Sequence, residues 1–221
     1  MVLKIDLKIF IFFVLFYLTR QIKLYSTIMI LCIIHELGHV VMGIVLGMKI
    51  EKIEIMPLGL SVSFKVNIDD YNKKIKKGSI LQLKKIAIAA AGPFMNFIML
   101  LIVLYTKIDL KLVSNEIIAY ANILIMLFNL LPIYPLDGGR ILKELIHICE
   151  GSIKSKRYIR RISKLIIILI TMIASIGIMY LKNIAVFFIV IYLWIVVLKE
   201  NRIHIAENYY LYPYENIIDE H

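Results

Sequence analysis

The densest chemistry in the chain is held by five consecutive residues, His35-Glu36-Leu37-Gly38-His39. On a helix, positions four apart share a face, so both imidazoles can meet one metal ion while Glu36 sits beside it as a base. This is the zinc-hydrolase pattern. The stretch lies within the apolar run from Leu24 to Met48, where ionisable side chains are costly and mark a site rather than filler.

A catalytic zinc takes three protein ligands and leaves a fourth position for water. Asp137 is the third candidate. In Asn129-Leu130-Leu131-Pro132-Ile133-Tyr134-Pro135-Leu136-Asp137-Gly138-Gly139-Arg140, Pro132 and Pro135 break a helix and the two glycines permit a tight turn. Asp137 is thereby expected on irregular backbone at membrane depth, where a carboxylate needs a partner and a metal is a natural one. Zn2+ on His35, His39 and Asp137 leaves Glu36 to take the proton from water and pass it to a leaving amine. Asn129 then donates to the developing oxyanion or orients substrate.

Two other readings use the same histidines. One takes the third ligand from Glu144 or Glu150, as in membrane-anchored proteases with a soluble catalytic face. The other is a metal-binding transporter or membrane scaffold without proteolysis, against which Glu36 argues, because a pure ligand set needs no base there. Cys32, one turn before His35, can face the metal but reads as a small buried hydrophobe. His147, His204 and His221 read as solvated loop or tail residues.

The elements that position these groups must be membrane helices. Of 221 residues, 61% are hydrophobic, yet the formal charge is +10. Such a balance excludes an ordinary soluble domain and assigns the positive charge to loop topology and anionic lipid rather than to direct nucleic-acid binding. Cys32 and Cys149 lie far apart with no paired spacing, so no disulfide framework is expected. Lys4 and Lys8 before the run 9–19 imitate a signal peptide, but Arg20-Gln21-Ile22-Lys23 offers no small-residue cleavage site, so the run reads as a retained first span.

Further apolar runs cover 24–48, 86–106, 117–136, 165–181 and 183–198, most approaching the roughly 20 residues needed to cross a bilayer. The expected fold is an all-α polytopic membrane protein of about six transmembrane helices. One transmembrane domain would cover 1–200, with its catalytic core at about 24–145, and a short cytoplasmic or interfacial tail would follow at 201–221. Of the 26 Lys and Arg, 21 fall in the N-terminus, the 49–85 and 137–164 loops and the C-terminus, and five fall on the other side. By the positive-inside rule both termini are cytoplasmic and the histidines open toward the cytosol.

Between the second and third spans, alternating residues around Met56-Pro57-Leu58-Gly59 predict a membrane-associated β-hairpin over 49–66. Its edge is placed either to hold an extended substrate by main-chain pairing or to serve as a plain surface hairpin. Residues 69–85 read as a polar linker whose lysines meet headgroups, and 157–164 as a topology anchor. The third span opens with Ala91-Gly92-Pro93 and carries Asn96: small residues allow close helix approach, Pro93 near the helix start is tolerated, and Asn96 can hydrogen-bond across helices or toward the site.

The three motifs, in order over roughly residues 24–145, resemble the signatures of the site-2 protease family of intramembrane zinc metalloproteases, and within it the stage IV sporulation protein FB group. That resemblance implies zinc from His35, His39 and Asp137, Glu36 as base and Asn129 in the site, with Gly92, Pro93, Asn96, Pro132 and Pro135 in substrate-binding or structural roles. It further implies that the substrate is a membrane-associated sigma-factor precursor, cleaved in its prosequence on the mother-cell side of the outer forespore membrane, and that inhibitory membrane partners restrain the protease. Anti-sigma factors and signal-peptide remnants are the alternative substrates. The chain departs from the group in one respect: only about twenty residues follow the sixth span, where members often carry a nucleotide-sensing domain of the cystathionine-β-synthase type, which leaves control by ATP and the choice of substrate open.

Overall fold

The computed structural model describes residues 2–5, 22–56, 59–65, 68–76, 78–106 and 114–181, with isolated positions within 10–20 and 190–198. In chain order these form β1 (Val2–Ile5), α1 (Ile22–Val45), β2 (Lys49–Met56), β3 (Gly59–Lys65), α2 (Ile68–Asn72), β4 (Lys74–Ile75), β5 (Gly78–Ser79), α3 (Ile80–Thr106), α4 (Asn115–Asn129), α5 (Asp137–Glu150) and α6 (Ser152–Leu181). The architecture is mostly helical with a small sheet rather than all-α.

Helix α1, which carries the histidines, stops because Gly47 adopts φ +73°. The Gly47 and Met48 N–H groups then donate to the Ile44 and Gly43 carbonyls, the paired bonds of a glycine-closed helix end. That turn aims the chain into the predicted hairpin, where β2 and β3 pair antiparallel with a bulge between Ile50 and Lys52. A Cβ on Gly43 would overlap the Phe64 ring, so the hairpin lies directly on α1. β1 adds a third strand, parallel to β2, which the sequence pattern did not announce.

The polar stretch 69–85 is folded, and this corrects its reading as a linker. It holds α2, the β4–β5 pair and the first six residues of α3, which therefore starts well before residue 86. Ser79 begins that helix: the Gln82 side chain, three residues on, accepts from the Ser79 N–H at 2.7 Å, half of a capping box. Lys84 is not a headgroup contact. It donates to the Leu46 carbonyl at 2.9 Å and to Asp70 Oδ2 at 2.6 Å, tying α3 to the end of α1 and to α2. Pro93 accordingly lies inside α3 rather than near its start.

The expected 137–164 loop is likewise helical, forming α5 and the first turns of α6. Gly151, with φ +88°, separates the two helices, and the Ser155 hydroxyl donates back to the Lys143 carbonyl across the bend. Asp137 is the first residue of α5 and not part of the irregular segment before it. The N-terminal turn of a helix favours a carboxylate, which accounts for the shift.

Among the described residues, two helices, Tyr25–Val45 and Ile80–Thr106, are long and apolar enough to cross a membrane, and Asn115–Asn129 is a shorter apolar helix. The expected first and sixth spans lie for the larger part, and the tail 201–221 wholly, outside the described residues. Large apolar side chains face outward on α1 and α3, including Val41, Ile44, Phe94 and Leu104, whereas His35, His39 and Asn96 are buried. That inside-out arrangement suits helices solvated by lipid.

Three apolar clusters brace the helices. Leu31, Val103 and Ile118 join α1, α3 and α4; Met48, Leu81 and Ile88 join α3 to the end of α1 and to Phe64. Ile133, Ile167, Leu193 and Val197 enclose the turn between α4 and α5. Ile133 is fully buried there, so Ile133→Ala should cost about 2–5 kcal/mol by leaving a cavity. Thermal unfolding in detergent checks this; an unchanged melting temperature would show that the turn repacks freely.

Candidate metal centre

His35 and His39 lie one turn apart on the inner face of α1, 3% and 5% exposed, and Asp137, 5% exposed, meets them from the start of α5. His35 Nε2 lies 2.9 Å from Asp137 Oδ2, His39 Nε2 lies 3.2 Å from the same oxygen, and the two Nε2 atoms are 3.2 Å apart. A tetrahedral zinc bonded at about 2.0–2.1 Å separates its ligand atoms by roughly 3.3 Å, so this triangle has the edge lengths of one face of such a site. Among the described residues, these three form the group that could hold a metal.

Two further features fit a metal. His39 Nδ1–H donates to the Ile88 carbonyl at 2.7 Å, which fixes the ring and leaves the Nε2 lone pair free to ligate. The second is an open cradle. A Cβ on Gly92 of α3 would overlap His39 Nε2 and come within 2.7 Å of His35 Nε2, so only glycine leaves room beside both ligand atoms. Pro93 follows directly and withdraws the donor that would otherwise meet the Ala89 carbonyl, loosening the helix ladder next to Ile88.

The third ligand is positioned by the turn before it. Tyr134 N–H donates to Ser163 Oγ at 3.0 Å, which hangs the turn on α6. A Cβ on Gly138 would overlap the Leu130 carbonyl, and one on Gly139 the Ile133 carbonyl carbon. The glycine pair therefore serves close approach of α5 to the turn. Pro132 and Pro135 lie in this turn and terminate α4, as the sequence implied.

Glu36 lies next to His35 on α1, half-buried and outside the ligand triangle. Asn129 is the last residue of α4, and its amide donates to the Ile125 carbonyl of its own helix at 3.1 Å. Asn96 is 1% exposed, and its backbone carbonyl, rather than its side chain, accepts a hydrogen bond across the helices from Asn122 Nδ2 at 2.7 Å. Asn122 escaped the sequence reading, although its spacing of one heptad before Asn129 places both amides on one face of α4.

The alternative third ligands are elsewhere. Glu144 faces Lys85 and His147, and Glu150 pairs with Lys154 at 2.9 Å on the surface. Cys32 is half-buried and not part of the metal group. His147 is partly buried on α5 rather than on a loop, and His204 and His221 fall outside the described residues.

A family model described as Peptidase family M50 matches residues 24–113 and 112–174. The chain is 28% identical over 173 residues to a zinc metalloprotease of Methanocaldococcus jannaschii, a match covering 75% of this chain and 47% of that protein. It is 27% identical over 147 residues to stage IV sporulation protein FB of Bacillus subtilis, covering 64% of this chain and 47% of that protein. The chain thus spans about half the length of these curated relatives. Among solved structures, the site-2 protease from Methanocaldococcus jannaschii matches over 90% of both chains with a TM-score of 0.66 at 21% identity, which shows a shared fold.

Proposed function

We propose, from the premise that the chain belongs to peptidase family M50, that it is a zinc-dependent intramembrane endopeptidase acting on a membrane-associated regulatory protein. The observation that carries this reading is the triangle of two imidazole nitrogens and one carboxylate oxygen, with edges of 2.9–3.2 Å, buried beside an unligated glutamate. A transporter or scaffold has no use for that glutamate.

His35, His39 and Asp137 would hold the zinc, which would supply Lewis acidity to activate a water and polarise a carbonyl. The protein's own groups do the rest. Glu36 takes the proton from the attacking water and delivers it to the leaving amine. Asn129 turns from the Ile125 carbonyl to donate to the oxyanion as it develops. The Ile88 carbonyl holds the His39 ring in place throughout.

The substrate class proposed is a sigma-factor precursor cleaved near the cytoplasmic face during sporulation, with inhibitory membrane proteins as regulators; the alternative is an anti-sigma factor or a signal-peptide remnant. Likeness to stage IV sporulation protein FB supports the first, and the concentration of Lys and Arg in four segments supports a multi-pass chain with cytoplasmic termini. Co-expression with a sigma-factor precursor from the same organism should yield a shorter product on an immunoblot. Shortening of a single-pass anti-sigma factor alone would transfer the assignment to that class. Failure of zinc-loaded protein to cut either, or a signal-peptide remnant, would overturn the protease reading.

A further inference from the structure

Two buried acids among the described residues lie outside the metal site: Asp70, which Lys84 holds at 2.6 Å, and Glu144, which has no such close partner. It is 7% exposed, and its Oε2 has no hydrogen-bond partner among the described residues. Two groups face it: Lys85 Nζ of α3 lies 3.9 Å from Oε1, and His147 Nδ1, one turn on along α5, lies 3.7 Å from Oε2. Burial holds His147 below the ordinary imidazole range; the Glu144 charge opposes this, and the smaller effects of the Lys85 and Lys143 charges add to it. Lys85 is the partner that reaches Glu144 from another helix, whereas His147 lies on the same helix as Glu144.

The position of this pair is what gives it meaning. Asp137 and Glu144 are seven residues apart on α5, and Lys85 and Gly92 are seven apart on α3. Seven residues make about two turns, or about 10.5 Å of helix, and return to nearly the same face. Gly92 abuts the histidines that Asp137 meets, and Lys85 meets Glu144. The two helices thus run antiparallel in a fixed register, with the metal site on one rung and the ion pair on the next. Beyond the pair, α5 packs on β5, where a Cβ on Gly78 would come within 3.2 Å of the Ile148 Cα.

We propose that Glu144 is a positioning residue for Asp137: held by Lys85, it sets the register of α5 on α3 and thereby places the Asp137 carboxylate in the ligand triangle. This rests on the metal-centre reading above. A slip of one residue along α5 would move Asp137 by about 1.5 Å and turn it by about 100°, which takes its oxygen out of the triangle. Loss of the charge need not unfold the protein, since the Lys85 side chain is 40% exposed and can turn to water.

The test is equilibrium zinc affinity by chelator competition on the whole chain in detergent. Wild type, Glu144→Gln, the exchange Lys85→Glu with Glu144→Lys, and Asp137→Ala are compared, each with thermal unfolding of the zinc-free form. Glu144→Gln should bind zinc about tenfold or more weakly, as loss of a supporting group around metal ligands typically does. The exchange should restore most of that loss, and the zinc-free melting temperatures should stay together. Wild-type affinity in Glu144→Gln overturns the positioning role, as does an affinity loss that follows a lower zinc-free melting temperature and is not restored by the exchange. Wild-type affinity in Asp137→Ala sinks the metal-centre reading itself, so the two failures are distinguishable.

Discussion

Glu36→Gln will lower peptide-bond hydrolysis by about 10²–10⁴-fold while leaving one zinc per chain. The amide has nearly the shape of the carboxylate, and Glu36 stands outside the triangle of His35 Nε2, His39 Nε2 and Asp137 Oδ2, so those distances have no reason to change. What is lost is the acceptor for the proton of the attacking water. The turnover number against a cleavable membrane substrate, with zinc content measured on the same preparation, separates the two effects. Undiminished turnover would remove Glu36 from the mechanism; loss of zinc together with turnover would make it a ligand or a packing residue.

Gly92→Ala will weaken zinc binding by about 5–150-fold, the factor equivalent to about 1–3 kcal/mol of overpacking. The added methyl would overlap His39 Nε2 and press on His35 Nε2 at 2.7 Å. Its neighbours cannot yield cheaply. The His39 ring is pinned by the Ile88 carbonyl, and α1 already touches α3 closely at Gly38, where a Cβ would come within 2.6 Å of the Ala91 carbonyl oxygen. Alanine is also the better helix former, so any loss of affinity runs against local propensity. Chelator competition measures it; unchanged affinity would mean that α3 can retreat from the histidines at little cost.

The ligand set was legible in the sequence because each member announces itself by cost. Two imidazoles four apart in an apolar run and an acid after a Pro-rich break have no structural excuse in lipid, and the structure brings all three together. The hairpin was legible because strand residues alternate. Helical structure at 80–85 and 137–164 was not, since lysines and arginines read as loop when hydropathy is the guide. The signals there were local ones: Ser79 with Gln82 as a cap, and acids and apolar residues of 137–148 recurring at helical spacing. The role of Gly92 was out of reach. A glycine's importance lies in what it would strike, and this requires knowing that residue 92 faces residues 35 and 39.

The ligands come from two places far apart in the chain, with His35 and Asp137 separated by 102 positions. At synthesis rates of about 5–20 residues per second, the second place emerges some 5–20 s after the first. During that interval the chain holds two imidazoles and a base without the carboxylate that completes the triangle. The triangle of possible metal ligands can therefore close only when α5 docks against α1.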